Sequence, residues 1–242
     1  MIRAILFDLD GTLLPMQQEA FTKGYFKELA KVLCPLGIAP DALVDIVWKG
    51  TYAMVQNDGT CSNEQRFWQV FAKLAQLDET RLEAFHRAAD DFYGKGFHNA
   101  RPFTGENPLA AAAVQSACLG GRKVALATNP LFPMVGQRTR MGWIGLRETD
   151  FDLVTSYETD RFCKPNPAYY QSVMERLNVA PQECLMIGND EREDMYAASQ
   201  AGICGYLVED CAIPCKEHPW QGARGSFTDM VEMLRKLEKG ME

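Results

Sequence analysis

No apolar stretch in the chain approaches the ~20 residues needed to span a bilayer, so no membrane-spanning helix and no membrane partner are expected. An excess of positive charge is also missing: 25 Lys and Arg stand against 32 Asp and Glu, giving a net charge of −7. That balance argues against general binding to nucleic acid or to acidic membrane surfaces. It leaves phosphorylated substrates open, because a metal ion or a single lysine can supply positive charge locally. The eight cysteines have no regular spacing, as suits a reducing compartment where most are small apolar packers. Cys34, Cys118, Cys184 and Cys204 sit in or beside apolar runs. Cys211, Cys215 and His218 lack an obvious fourth ligand and read as a loop with incidental thiols rather than a zinc site. There is no internal repeat or low-complexity tract. The first strand starts at Ile2, which leaves no room for a signal peptide, and a cytoplasmic location is the default expectation.

What is present begins with an apolar run, Ile2 to Phe7, that leads straight into Asp8-Leu9-Asp10-Gly11-Thr12-Leu13. Side chains at i and i+2 of an extended segment point to the same side, so Asp8 and Asp10 share a space at the strand end. Two such carboxylates repel unless a cation or a shared proton relieves them.

From Gln17 to Ala100 the sequence reads as successive amphipathic helices without a strand. Phe21, Tyr25, Leu29, Val32 and Leu33 mark the first, which ends at Cys34-Pro35-Leu36-Gly37. Pro40-Asp41 opens a second, Ser62 caps a third carrying Phe67, Val70, Phe71 and Leu74, and Thr80 caps a fourth that Gly94-Lys95-Gly96 closes. From Arg101 strands and helices alternate. Helices are expected over 108–119, 168–177, 195–201 and 227–237, and strands over 124–127, 151–155, 184–187 and 206–208. Such alternation implies parallel strands with helices on both faces. The expected fold is therefore α/β, a Rossmann-like parallel-sheet core of residues 1–15 and 101–242, with an all-helical cap of residues 16–100 inserted after the first strand.

Open α/β sheets bind ligands beyond the carboxyl ends of their strands. Asp8 and Asp10 end the first strand, Thr128-Asn129-Pro130 the second, and Gly188-Asn189-Asp190 the fourth, with Asp194 one helical turn on; Lys164-Pro165 follows the third. Each part has a chemical use. A carboxylate such as Asp8 can attack phosphorus to give an aspartyl-phosphate, provided positive charge offsets the repulsion between anions. Magnesium held by oxygen ligands is the usual means, and Asp8 can be nucleophile and ligand together. Asp10, beside a carboxylate and a phosphate, is pushed toward its protonated form and can act as acid and then base. Thr128 and neighbouring N–H groups can bind the phosphoryl oxygens, Lys164 can neutralise their charge, and Asn189, Asp190 and Asp194 can complete or orient the metal shell.

These residues, Asp8-Leu9-Asp10-Gly11-Thr12, Thr128-Asn129, Lys164-Pro165 and Gly188-Asn189-Asp190 with Asp194, resemble the four ordered motifs of the haloacid dehalogenase superfamily. The resemblance spans nearly the whole chain, helical cap included. It implies a Rossmann-like core with a central first strand and magnesium-dependent phosphoryl transfer. It also implies Asp8 as nucleophile, Asp10 as acid/base with its backbone carbonyl on the metal, and Gly11, Thr128, Asn129 and Lys164 around the phosphoryl group. Many members carry Asp directly after the fourth-motif glycine, where this chain has Asn189. Either Asn189 ligates through its amide oxygen, lowering the negative charge of the site, or Asp190 takes that role.

Within that superfamily Asp10 selects the reaction, because dehalogenase members lack an equivalent acid; a halide leaves without a proton. Phosphonate hydrolysis needs a cap lysine that forms a Schiff base, for which Lys23 and Lys27 are the candidates. The expected activity is hydrolysis of a small phosphorylated metabolite. The alternatives are a sugar-phosphate mutase and a catalytically lapsed binding protein. Arg66, Lys73, Arg87 and His98 are candidates for contacting the leaving group, and Trp48, Phe67 and Trp68 for lining the cleft between cap and core.

Overall fold

The computed structural model describes residues 1–238; the last four residues of the expected core lie outside that range. Six strands, β1 (Ala4–Phe7), β2 (Lys123–Leu126), β3 (Leu153–Val154), β4 (Cys184–Gly188), β5 (Cys204–Val208) and β6 (Ala223–Gly225), form one sheet of order β3-β2-β1-β4-β5-β6. All neighbours are parallel. The chain builds outward from β1 to β3, then returns to the other side of β1 and builds out to β6. The direction therefore reverses beside β1, and the crevice of a doubly wound sheet opens at its carboxyl end.

All four residues of β1 are fully buried, as a central strand covered on both faces requires. Ile5 and Phe7 join one apolar cluster with Val114, Met230 and Leu234, from helices α5 (Ala110–Cys118) and α9 (Phe227–Glu238). Ala4 and Leu6 face the other way, onto Tyr169, Tyr170 and Val173 of α7 (Pro167–Leu177).

Between β1 and β2 lie four helices: α1 (Gln18–Leu33), α2 (Pro40–Val55), α3 (Asn63–Ala75) and α4 (Glu79–Gly94). Gly37, at φ 100°, takes the left-handed turn that ends the first of them. Ser62 caps α3 in a reciprocal box with Gln65. The cap of α4 is Asp78, whose carboxylate accepts the Arg81 N–H; Thr80, expected in that role, lies inside the first turn. Asp78 offers the same oxygen two residues earlier and adds a negative charge at the positive end of the helix dipole. The insertion closes with the 3-10 segment Gly96–Phe103, which runs across the expected boundary at residue 100. The two crossings pair with each other: Met16 bridges Thr104, and Gly105 N–H donates to the Pro15 carbonyl at 2.6 Å.

Two elements had no sequence forecast. Helix α6 (Met134–Trp143) shows little apolar periodicity because its buried residues include Gln137 and Arg140, and β6 has only three residues. The helix expected at Met195 starts earlier, as a wide π-helical turn, Glu191–Tyr196, that leads into α8 (Ala197–Gln200).

The apolar core of the insertion is continuous with one face of the sheet. Phe97, with no exposure, packs against the rings of Phe21, Tyr25, Phe92, Tyr93, Phe132 and Trp143. Phe97→Ala is expected to lower stability by about 3–5 kcal/mol in urea unfolding, as large-to-small changes at closed aromatic sites do.

Candidate active site

Asp8 extends β1 by one residue, its N–H donating to the Ile187 carbonyl at 2.9 Å. Its side chain is almost wholly buried and both oxygens are held. The fully buried Lys164 ammonium donates to Oδ1 at 2.9 Å, and the Thr12 hydroxyl lies 3.2 Å from Oδ2. Lys164 also donates to Asp194 Oδ1 at 2.6 Å. The other Asp194 oxygen accepts the N–H groups of Asn189 and Asp190, at 3.0 Å each, and so fixes the turn that follows β4. Gly188 makes this possible: a Cβ there would stand 2.2 Å from the Asp194 carboxylate.

The Asp8 carboxyl is raised to about 8, chiefly by burial and further by Asp194 and Asp10, with Lys164 opposing the rise. Lys164 sits well above its ordinary value because two carboxylates outweigh its own desolvation. A carboxylate nucleophile must be ionised, and one ammonium shared between two acids does not fully supply the charge for that.

Asn189 is oriented by its amide. Nδ2 donates to the Cys211 carbonyl at 2.8 Å, which turns Oδ1 toward the Thr12 hydroxyl, 3.1 Å away. Asp8 Oδ2 and Asn189 Oδ1 thus converge on one hydroxyl, whose single proton cannot satisfy both. Among the described residues no three His, Cys, Asp or Glu side chains form a metal cluster, and the oxygens that converge are one carboxylate, of Asp8, and one amide, of Asn189. That set suits a hard divalent cation such as magnesium. Asp190 has a different task, with Oδ1 accepting the Arg192 and Glu193 N–H groups, 2.8 Å each, as the cap of the π-helical turn.

Gly11, expected at the phosphoryl group, donates its N–H to the Leu14 carbonyl instead. The position needs glycine for its φ of 89° and because a Cβ would lie 2.3 Å from the Asn189 amide. Thr128 is buried and lines the cavity above Asp8, with its carbonyl tied to Thr155 and Tyr169. Asn129 also lines the cavity. It ties two loops together, accepting from Lys164 N–H at 3.2 Å and donating to Glu193 at 2.8 Å. Burial raises the Glu193 carboxyl to about 7.

Asp10 has a partner the sequence did not announce. Arg140, without any exposure, forms an ion pair with Asp10 Oδ2, hydrogen-bonds Gln137, and lies 4.2 Å from the centre of the Phe132 ring. The remaining carboxylate oxygen, Oδ1, is buried without a partner, and Asp10 lines the cavity. One oxygen is anchored while the other is available for a proton.

The expected cap contacts divide. Trp48, Phe67 and Trp68 line the cavity, whereas Arg66, Lys73, Arg87 and His98 do not. Arg66 is taken up by Asn57, Asp58 and Thr60, and the other three are exposed. Lys23 and Lys27 are exposed too, away from the cavity. Cys215 is buried and His218 stacks on Tyr196 with ring centres 3.6 Å apart, so neither joins Cys211 in a cluster.

The haloacid dehalogenase-like hydrolase model matches residues 2–202. The chain belongs to that family. This hydrolase is 24% identical over 210 residues to the glyceraldehyde 3-phosphate phosphatase of Methanothermobacter thermautotrophicus, covering 86% of each chain. It is 28% identical over 209 residues to the phosphoglycolate phosphatase of Shigella dysenteriae, covering 83% of this chain and 79% of the relative. Among solved structures, the hydrolase superposes on a predicted phosphoglycolate phosphatase from Haemophilus somnus with a TM-score of 0.60, at 20% identity over 96% of this chain and 97% of that one. A 2-haloacid dehalogenase from Pseudomonas syringae gives 0.62, at 18% identity over 98% of this chain and 100% of that one. Among the described residues of the hydrolase no helix is long and apolar enough to cross a membrane.

Removing the Arg140 guanidinium leaves Asp10 partly buried without its counter-charge. Arg140→Met is expected to cost about 3 kcal/mol in urea unfolding. Arg140→Lys is expected to restore only part of it, since an ammonium cannot hold Asp10 and Gln137 in one planar fork.

Proposed function

We propose that the chain hydrolyses phosphomonoesters through a phosphorylated Asp8, with a divalent cation, magnesium, bound beside that residue. The observation that carries this reading is the pairing of a fully held Asp8 carboxylate with an Asp10 oxygen that has no partner, both on one cavity. Held by Lys164 and Thr12, Asp8 keeps one orientation for attack on phosphorus. As the new O–P bond forms and the ester P–O bond breaks, Asp10 Oδ1 gives its proton to the departing alkoxide. Water then attacks the phosphorylated residue, Asp10 Oδ1 takes a proton from it, and inorganic phosphate leaves. The sum is ester plus water to alcohol plus phosphate. Throughout, Oδ2 stays on Arg140, which keeps the acid aimed.

Thr128, on the cavity wall, is assigned to the phosphoryl oxygens. Lys164, expected to touch them, is buried behind Asp8 and off the cavity wall, and offsets their charge through Asp8. The cation would rest on Asp8, the Asp10 carbonyl and Asn189 Oδ1, and would supply charge neutralisation at the transferring group. Asn189 is chosen over Asp190 because its oxygen shares the Thr12 hydroxyl with Asp8, while Asp190 is engaged in capping. Asp194 supports the shell through the Asn189 and Asp190 N–H groups.

The names of similar proteins divide between phosphatases and dehalogenases, and Asp10 favours the former, since only an alkoxide needs a proton. The exposed positions of Lys23 and Lys27 speak against a Schiff-base route. We assign residues 16–100 to a cap over the core, and the eight unpaired cysteines favour a cytoplasmic setting for a small phosphorylated substrate.

Purified protein with magnesium is expected to hydrolyse a generic aryl phosphate and to lose that activity in chelator; inactivity toward every phosphomonoester contradicts the reading. Asp8→Asn is expected to lower turnover by roughly 10³-fold or more, and Asp10→Asn by about 10²–10⁴-fold, with unchanged melting cooperativity. In a thermal-shift titration, Asn189→Leu is expected to raise the magnesium concentration needed for half-saturation, and Asp190→Asn to leave it nearly unchanged. The reverse pattern would move the ligand to Asp190.

A further inference from the structure

The cavity over Asp8 and Asp10 has a volume of about 360 Å³. Its polar groups are unevenly spread. Asp8, Asp10, Thr128, Asn129, Asn189, Asp190, Glu193 and Asp194 gather at the reacting end. The rest of the wall is built mainly by apolar side chains of α1, α2 and α3, among them Phe26, Leu33, Trp48, Phe67 and Phe71, with Phe132 from the core. Among the described residues, no Lys, Arg or His lines it.

Two hydroxyls on this wall, those of Tyr25 and Tyr93, bond each other at 2.7 Å. Gln18, Thr22, Thr51 and Tyr157 add uncharged polar groups to the wall, and the indole N–H of Trp68 is buried without a hydrogen-bond partner. A small anionic leaving group, such as the glycolate of phosphoglycolate, would therefore bring its carboxylate against aromatic rings with no cation to meet it. Burying a charge unpaired is strongly unfavourable. An apolar group there gains from every methylene removed from water. The volume lies within the ~300–1,000 Å³ of pockets that enclose drug-sized ligands, larger than a two- or three-carbon acid fills.

We infer that the phosphomonoester this cavity takes carries an uncharged, apolar leaving alcohol, aryl or medium-chain alkyl, rather than a small acid. The inference rests on the hydrolysis proposed above and goes beyond it in naming the alcohol. Its recognition elements are the apolar wall and, for a group bearing one acceptor, the Trp68 N–H.

The test is a series of n-alkyl phosphates from ethyl to octyl, assayed with magnesium beside 2-phosphoglycolate and acetyl phosphate. Alkyl esters of similar leaving-group acidity isolate the wall from intrinsic reactivity. The specificity constant, kcat/KM, is expected to rise about fourfold per buried methylene until the cavity is full. 2-Phosphoglycolate is expected to fall below ethyl phosphate. A flat alkyl series, or a preference for 2-phosphoglycolate over octyl phosphate, overturns the inference. Acetyl phosphate separates the two failures, because its leaving group is too small to test the wall. If it is turned over while the alkyl series is flat, only the apolar assignment falls. If it, 2-phosphoglycolate and every alkyl ester are all inert, the hydrolysis reading falls and takes the assignment with it.

Discussion

A lysine ammonium without access to water, set between two carboxylates, governs the arrangement of this site. Lys164 reaches Asp8 at 2.9 Å and Asp194 at 2.6 Å, and none of the three side chains has more than marginal exposure. Such a triad is costly to bury and costlier to break at its centre, since removing the Lys164 ammonium leaves two uncompensated carboxylates in the interior. Its geometric consequences spread outward. Asp8 at the end of β1, the loop that carries Lys164, and the π-helical turn after β4 are drawn to one point. Through Asp194 the triad also fixes the N–H groups of Asn189 and Asp190, and Asn129 pins the Lys164 backbone from the second strand. Four segments far apart in sequence are thereby registered against one another.

The triad is also unbalanced, with two carboxylates for one ammonium. An attacking anion and a phosphoryl anion cannot share such a place without more positive charge. The oxygens of Asp8 and Asn189 that meet at the Thr12 hydroxyl mark where that charge best fits. Here the chain substitutes a neutral amide for a further carboxylate. Its orientation is then set by the Cys211 carbonyl, so a loop whose thiols first invite thought of a metal contributes a main-chain oxygen instead.

The sheet and the motif residues could be read from the chain because their causes are local. Buried parallel strands appear as short apolar runs, and polar residues placed just after those runs fall at one edge by topology alone. Asp8, Thr128 and Asn189 follow that logic, and Lys164 returns to the same edge from the loop between β3 and α7. Arg140 does not. It lies on α6, whose buried side includes Gln137 and Arg140, so the helix carries little hydrophobic periodicity, and its pairing with Asp10 spans 130 positions. Thr12 was visible within its motif, but its bridging of Asp8 and Asn189 depends on how tightly Gly11 lets the turn close. The charged residues of the insertion misled for a related reason. Spacing on a helix shows which residues share a face, not which face meets the cavity, and Arg66 is engaged by its own loop neighbours.

The two regimes of the cavity depend on each other. Lys164 and Arg140 are both fully buried, so their fields act on Asp8 and Asp10 with less screening than at the surface. Phe132 joins the two regimes physically: one face of its ring carries the Arg140 guanidinium at 4.2 Å, while the ring also lines the cavity and stacks with Phe97 in the core of the insertion. One side chain therefore both shapes the cavity wall and buttresses the guanidinium paired with Asp10, the proposed acid. On the proposed reading, a substrate that fills the apolar end would press on the same ring that supports the Arg140 partner of Asp10. The proposed selectivity for the alcohol and the proposed delivery of its proton would then rest on one packing arrangement.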